Sequence, residues 1–88
     1  MLLHNHGTLA VGKTCAEAFL RIYFLERACT MQVRTRMLGD ISMDHPTAPD
    51  VIEKNAALAN HGMSELAEKL VWPALIRKLD RIDPGFRA

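Results

Sequence analysis

The chain has 88 residues, 49% hydrophobic and 24% charged, so it is bounded at one domain with a modest core. Its formal net charge is +1 and its eleven Lys and Arg are scattered, which excludes an electrostatic case for nucleic acid or an acidic membrane surface. Met1-Leu2-Leu3 has neither the basic segment nor the long apolar core of a signal peptide, and no apolar run approaches the roughly 20 residues of a membrane span.

Residues 2–5 read as a strand. Thr8 to Val11 read as a second short strand or its continuation past a turn, bounded by Gly7 and Gly12. His4 and His6 are two apart, and on a strand such residues share a face, so two imidazoles could meet one divalent metal. Thr14-Cys15-Ala16-Glu17 has the capping-box spacing, with a hydroxyl at the helix start and a carboxylate three residues on. A helix over 15–37 follows, with Gly39 placed to end it and Glu17 and Arg21 as an i,i+4 pair. Phe19, Leu20, Ile22, Tyr23, Phe24, Leu25, Ala28 and Met31 ring this helix rather than forming one stripe, so it should be covered on more than one face. Little else in the chain is available to cover it. Glu26 and Arg27 stand among these apolar residues; they could be interface or site groups, but a structural ion pair is the expectation.

The two cysteines, Cys15 and Cys29, lie about 21 Å apart if both are on that helix. That distance excludes a disulfide between them and fits a reducing compartment, here the cytoplasm. Residues 40–46 read as a polar loop, and His45 within it carries no signal. Thr47, Pro49 and Asp50 then mark a helix start, with Thr47 as the capping hydroxyl. That helix is expected to stop near Asn60, with Gly62 closing it and Ser64 capping a third helix. Asn60-His61-Gly62 repeats the tripeptide of residues 5–7, but Gly62 is explained by the helix end. Pro73 should kink the third helix near 69–72, and Asp83-Pro84-Gly85 ends it. Trp72 reads as a packing anchor. The letters His-Asn-His are not a nuclease motif, because that motif's residues are spread over a long metal-binding unit.

The stretch from Leu2 to Phe19, with Asn5-His6-Gly7 at the strand end and Ala16-Glu17-Ala18 opening the helix, resembles the C-terminal part of the class II aldolase/adducin family. Tyr23-Phe24-Leu25-Glu26-Arg27-Ala28 continues the resemblance. The segment from Trp72 to Pro84 is similar to the tails of bacterial members. The implied fold is α/β: a C-terminal fragment of a three-layer α/β/α class II aldolase-like domain, with one or two short strands and about three helices. On this reading residues 1–88 are a partial domain whose beginning falls inside the family's chain. Its strand and ligand motif occupy 2–12, its long helix 14–38 and its C-terminal helices 48–82.

The resemblance also implies chemistry. Family enzymes hold a divalent metal, usually zinc, on three histidines, of which one maps onto His6. His4 maps onto a variable position beside it, and Gly7 would let the backbone pass close to the site. The metal would polarise a substrate carbonyl and stabilise an enediolate in aldol cleavage, epimerisation or decarboxylation. The implied substrate is a small carbonyl or sugar-phosphate-type compound, and the implied assembly a homo-oligomer without nucleic acid or membrane partners. The family's upstream His-x-His, phosphate-binding loops and acid/base carboxylate have no counterpart here, and Phe86 stands where many relatives carry a tail tyrosine. One histidine does not hold a catalytic zinc, so these residues alone are expected to be inactive as a zinc-dependent carbon–carbon lyase. The alternatives are a non-catalytic adducin-like interaction module and an unrelated small helical domain.

Overall fold

The computed structural model describes residues 1–39 and 46–87. His45 and most of the loop expected over 40–46 therefore lie outside the described residues. What is described is mostly helical, with two short antiparallel strands.

Strands β1 (Leu2–Leu3) and β2 (Gly7–Thr8) pair with Leu2 opposite Thr8 and Leu3 opposite Gly7. Met1 and Leu9 extend the ladder: the Leu9 N–H donates to the Met1 carbonyl at 2.9 Å and the Met1 ammonium to the Leu9 carbonyl at 2.6 Å. The turn between them closes through the His6 N–H on the Leu3 carbonyl at 3.3 Å. Asn5 carries a φ of 59°, the left-handed conformation that asparagine tolerates better than other non-glycine residues. That torsion is why the strand expected over 2–5 ends at Leu3. The second strand, expected over Thr8 to Val11, instead begins at Gly7 and ends at Thr8.

Helix α1 (Cys15–Arg36) starts as its sequence dictates. The Thr14 hydroxyl accepts from the Glu17 N–H at 3.2 Å. Glu17 returns the bond one residue further out than the standard capping box, taking the Lys13 N–H at 3.0 Å. The chain reaches this start through Gly12, where a Cβ would lie 2.7 Å from the Ala18 backbone nitrogen. Gly12 thus allows close passage of the loop over the first helical turn, beyond the turn role its sequence suggested. At the other end Met37 caps the helix and Gly39 takes a φ of 109°. The glycine stop sits one residue beyond the position directly after the cap.

Helix α2 (Pro49–Leu66) is capped by Ala48 rather than by the Thr47 hydroxyl, and Pro49 occupies its first turn. It does not break near Asn60. Gly62 keeps a negative φ, and Ser64 lies inside the helix rather than capping a new one. The physical reason is packing. Met63 and Ala67 are four apart, one above the other on a helix, and both reach the same cluster against α1. A break between them would divide the only face that α2 buries.

The irregularity expected near Pro73 is present, as a widened π turn over Ala67–Val71 rather than an isolated kink. Pro73 has no N–H to offer the Lys69 carbonyl, and the Trp72 N–H donates back five residues to the Ala67 carbonyl. Helix α3 (Trp72–Ile82) follows, and then a 3₁₀ turn over Pro84–Arg87. Arg87 clasps this turn to α3 with two bonds to the Asp80 carboxylate, at 2.6 and 3.0 Å.

The core is small. Ala16, Leu20 and Ala67 are its buried apolar residues among those described, with Met63, Val71 and Trp72 packed against them. Phe19 meets Trp72 edge to face at 5.9 Å. The all-round apolar character of α1 is left largely uncovered, with Tyr23 49% and Phe24 48% exposed. The chain exposes 7528 Å², against about 5,200 Å² for a compact monomer of its mass. Its radius of gyration is 16.5 Å, against about 12 Å for a compact chain of this length.

Candidate functional site

The turn His4-Asn5-His6-Gly7 projects both imidazoles into solvent. They do not share a strand face, because the left-handed Asn5 stands between them. The His6 ring instead folds back on its own turn, with Nδ1 2.8 Å from the His4 carbonyl oxygen. A carbonyl only accepts, so Nδ1 carries the proton and Nε2 presents its lone pair outward. His4 therefore contributes its backbone to the orientation of His6. Gly7 has a φ of 116°, and a Cβ there would meet nothing within 4 Å. Within these residues glycine is required by the torsion of the turn rather than by crowding.

The hairpin is tied to α1 by one side-chain bond, from the Thr8 hydroxyl to Glu26 Oε1 at 2.5 Å. Its partners are eighteen residues apart in different elements, and no sequence signal announces it. Glu26 and Arg27 form no ion pair among the described residues, contrary to expectation. They are consecutive on a helix and point about 100° apart, and the Glu26 carboxylate is turned to the hairpin.

Charge is concentrated instead at the start of α1. Glu17 is buried, and Oε1 accepts from Arg21 Nε at 3.0 Å and from its Nη2 at 2.8 Å. The Arg21 bonds, followed by the Lys13 N–H, hold the Glu17 carboxyl below the usual 4.5 of a glutamate. This group fixes the helix that backs the hairpin. Its oxygens are all engaged, so it has a structural part rather than a ligand's.

Other candidates separate from the turn. His61 lies in the middle of α2, exposed, so the second Asn-His-Gly is helix surface. Phe86 sits in the final 3₁₀ turn with the Arg87 guanidinium 5.2 Å from its ring centre. Cys15 and Cys29 are free thiols. Among the described residues no three of His, Cys, Asp and Glu converge as a metal site, and no helix is long and apolar enough to cross a membrane.

Residues 1–33, the hairpin and most of α1, match the family described as Class II Aldolase and Adducin N-terminal domain. The chain belongs to the class II aldolase/adducin family. Over 88 residues it is 41% identical to a protein of Caulobacter vibrioides provisionally named an aldolase class 2 protein, a match spanning 98% of this chain. A similarly named Pseudomonas aeruginosa protein is 35% identical over 99% of this chain. Human β-adducin is 48% identical over 33 residues, 4% of its own length. The chain spans about a third of the length of the two bacterial relatives, 33% and 34%. No solved structure matches it.

Proposed function

We propose that this chain supplies one ligand, His6, to the divalent metal centre of a class II aldolase-type domain, the metal being zinc. The observation that carries the proposal is the bond between His6 Nδ1 and the His4 carbonyl. Metal-binding histidines commonly donate their second ring N–H to a backbone carbonyl, which fixes the tautomer and aims the free nitrogen. The left-handed Asn5 and Gly7 shape the turn that makes this bond. His4 is the neighbour whose carbonyl sets the ring, and its own imidazole is not a ligand.

The described residues fit the group only in part. They provide one imidazole, where a catalytic zinc takes three protein ligands and an open position. The other two, with the substrate-selecting groups, belong on this reading to the part of the domain that the chain does not match. When bound, such a metal supplies a Lewis acid toward a carbonyl of a small sugar-phosphate-type substrate. What this chain does is hold one ligand in register, through the hairpin, the Thr8–Glu26 bond and the Glu17–Arg21 base of α1. The whole domain is read as a three-layer α/β/α unit of which residues 1–88 are part, acting as a cytoplasmic homo-oligomer in carbon–carbon lyase, epimerase or decarboxylase chemistry. Two free thiols support the compartment.

The test is nitrogen-15 NMR of the histidine rings with zinc added. His6 is expected in the Nδ1–H tautomer, with zinc shifting its Nε2 resonance; His6→Ala removes the response and His4→Ala keeps it. Equal responses from His4 and His6, or an Nε2–H tautomer at His6, would overturn the assignment and favour a non-catalytic adducin-like module.

A further inference from the structure

Met63 and Ala67 face α1, and α3 turns its own apolar residues to the same helix: Trp72, Leu75, Ile76, Leu79 and Ile82 line one cavity of 250 Å³ against Phe19. Helix α2, the π turn and α3 follow one another without a loop. The two apolar faces therefore coincide only if the spacing between them fits the helical repeat. In a straight α-helix it does not. At about 100° per residue, with Met63 at zero, Ala67 stands at about 40° and the apolar residues of α3 spread around about 160°. The places beside Met63 and Ala67 would fall to Arg81, at about 0°, and Lys78, at about 60°. Two cations would be carried against the apolar cluster, and burying an unpaired charge is costly.

The π turn removes this mismatch. The Trp72 N–H bonds to the Ala67 carbonyl five residues back. Trp72 thus takes the place over Ala67 that the fourth residue on would hold in an α-helix, and everything after it is turned back by about 100°. The apolar residues of α3 then spread around about 60°, in line with Met63 and Ala67. Lys78 and Arg81 swing away, and both are exposed. Pro73 alone does not dictate this outcome. It leaves the Lys69 carbonyl without its donor, and a simple kink would accommodate that loss as well.

We propose that the π turn over Ala67–Val71 is a phase-setting device: its one extra residue rotates α3 so that α2 and α3 present a single apolar face to α1, with Pro73 disfavouring the straight alternative. The exposed Glu68, Lys69 and Leu70 then serve as spacing, and the number of residues between Ala67 and Trp72 is what the fold requires. The inference is independent of the metal and of the His6 assignment.

Two variants of the full chain change that number by one in either direction. In the first, Glu68 is deleted and Pro73→Ala is added, which lets an unbroken α-helix reach the same phase. Nuclear Overhauser contacts between the Phe19 and Trp72 rings are expected to persist, with a thermal midpoint within about 5 °C of the parent. In the second, one alanine is inserted after Glu68 and Pro73 is kept, which turns α3 by about 100° and brings Lys78 and Arg81 toward α1. The ring contacts should be lost and the midpoint lowered by at least about 5–10 °C, while helical circular dichroism persists. An insertion that keeps the contacts would overturn the proposal by showing that phase is set elsewhere. A deletion that loses them, or fails to fold, would overturn it too and reduce the turn to a local accommodation of Pro73.

Discussion

Glu17 shows how much one side chain organises here. It closes the cap, holds Lys13, and receives both Arg21 donors, all while buried. Its carboxyl is held below the ordinary value by these partners. A depressed carboxyl contributes stability that is fully present above its unfolded pKa and is lost as pH falls through the folded one. Asp80, held down by Arg87, adds a contribution of the same sign. Thermal melts followed by circular dichroism should therefore be flat near neutrality and drop on acidification from about pH 4.5 downward. In Glu17→Gln the starting stability should be lower and the acid slope shallower; an unchanged slope would remove Glu17 from this account. The pair was legible in the sequence because i,i+4 spacing and a capping hydroxyl are local signals. The Thr8–Glu26 bond was not, since it depends on how hairpin and helix meet.

The elements were legible where their ends are written locally and illegible where packing overrides them. Thr14 and Gly39 bracket α1, and the helix found there differs from the expected one by a residue at its end. Gly62 and Ser64 carry the same kinds of signal within α2, yet the helix runs through both, because Met63 and Ala67 are drawn to one cluster. Glycine inside a helix costs about 1 kcal/mol relative to alanine, less than the burial that a break would lose. At Pro73 the missing donor was readable but the response was not, since a kink and a π turn satisfy the same defect. Pro73→Ala restores a donor to the Lys69 carbonyl. Amide exchange over residues 69–73 should then slow several-fold, as ordinary helical bonding competes with the widened turn. Unchanged exchange would mean that packing around Ala67 holds the turn.

For the whole molecule, the composition is that of an ordinary globular domain, but the fold leaves much of its apolar content outside. Three buried apolar residues make up the core among the described residues. Removing the largest of them, Leu20→Ala, should cost about 2–5 kcal/mol. With so small a core that is expected to abolish the docking of α1 on the π turn while each helix keeps part of its content. Loss of chemical-shift dispersion with retained helical dichroism is the corresponding signature. Well-dispersed spectra would show that the apolar surface outside this cluster stabilises the chain more than its exposure suggests. The sequence indicated this imbalance through the ring of apolar residues on α1. It did not indicate which elements would leave that ring uncovered, because that depends on the path of α2 past Met63.

Trp72 is the single tryptophan of the chain. It stands edge-on to Phe19, half-buried, beside the 250 Å³ cavity between α1 and α3. The protein therefore carries its own optical reporter at the junction of its first and last long helices. Its emission colour tracks how wet that junction is, without a label and at concentrations where self-association is negligible.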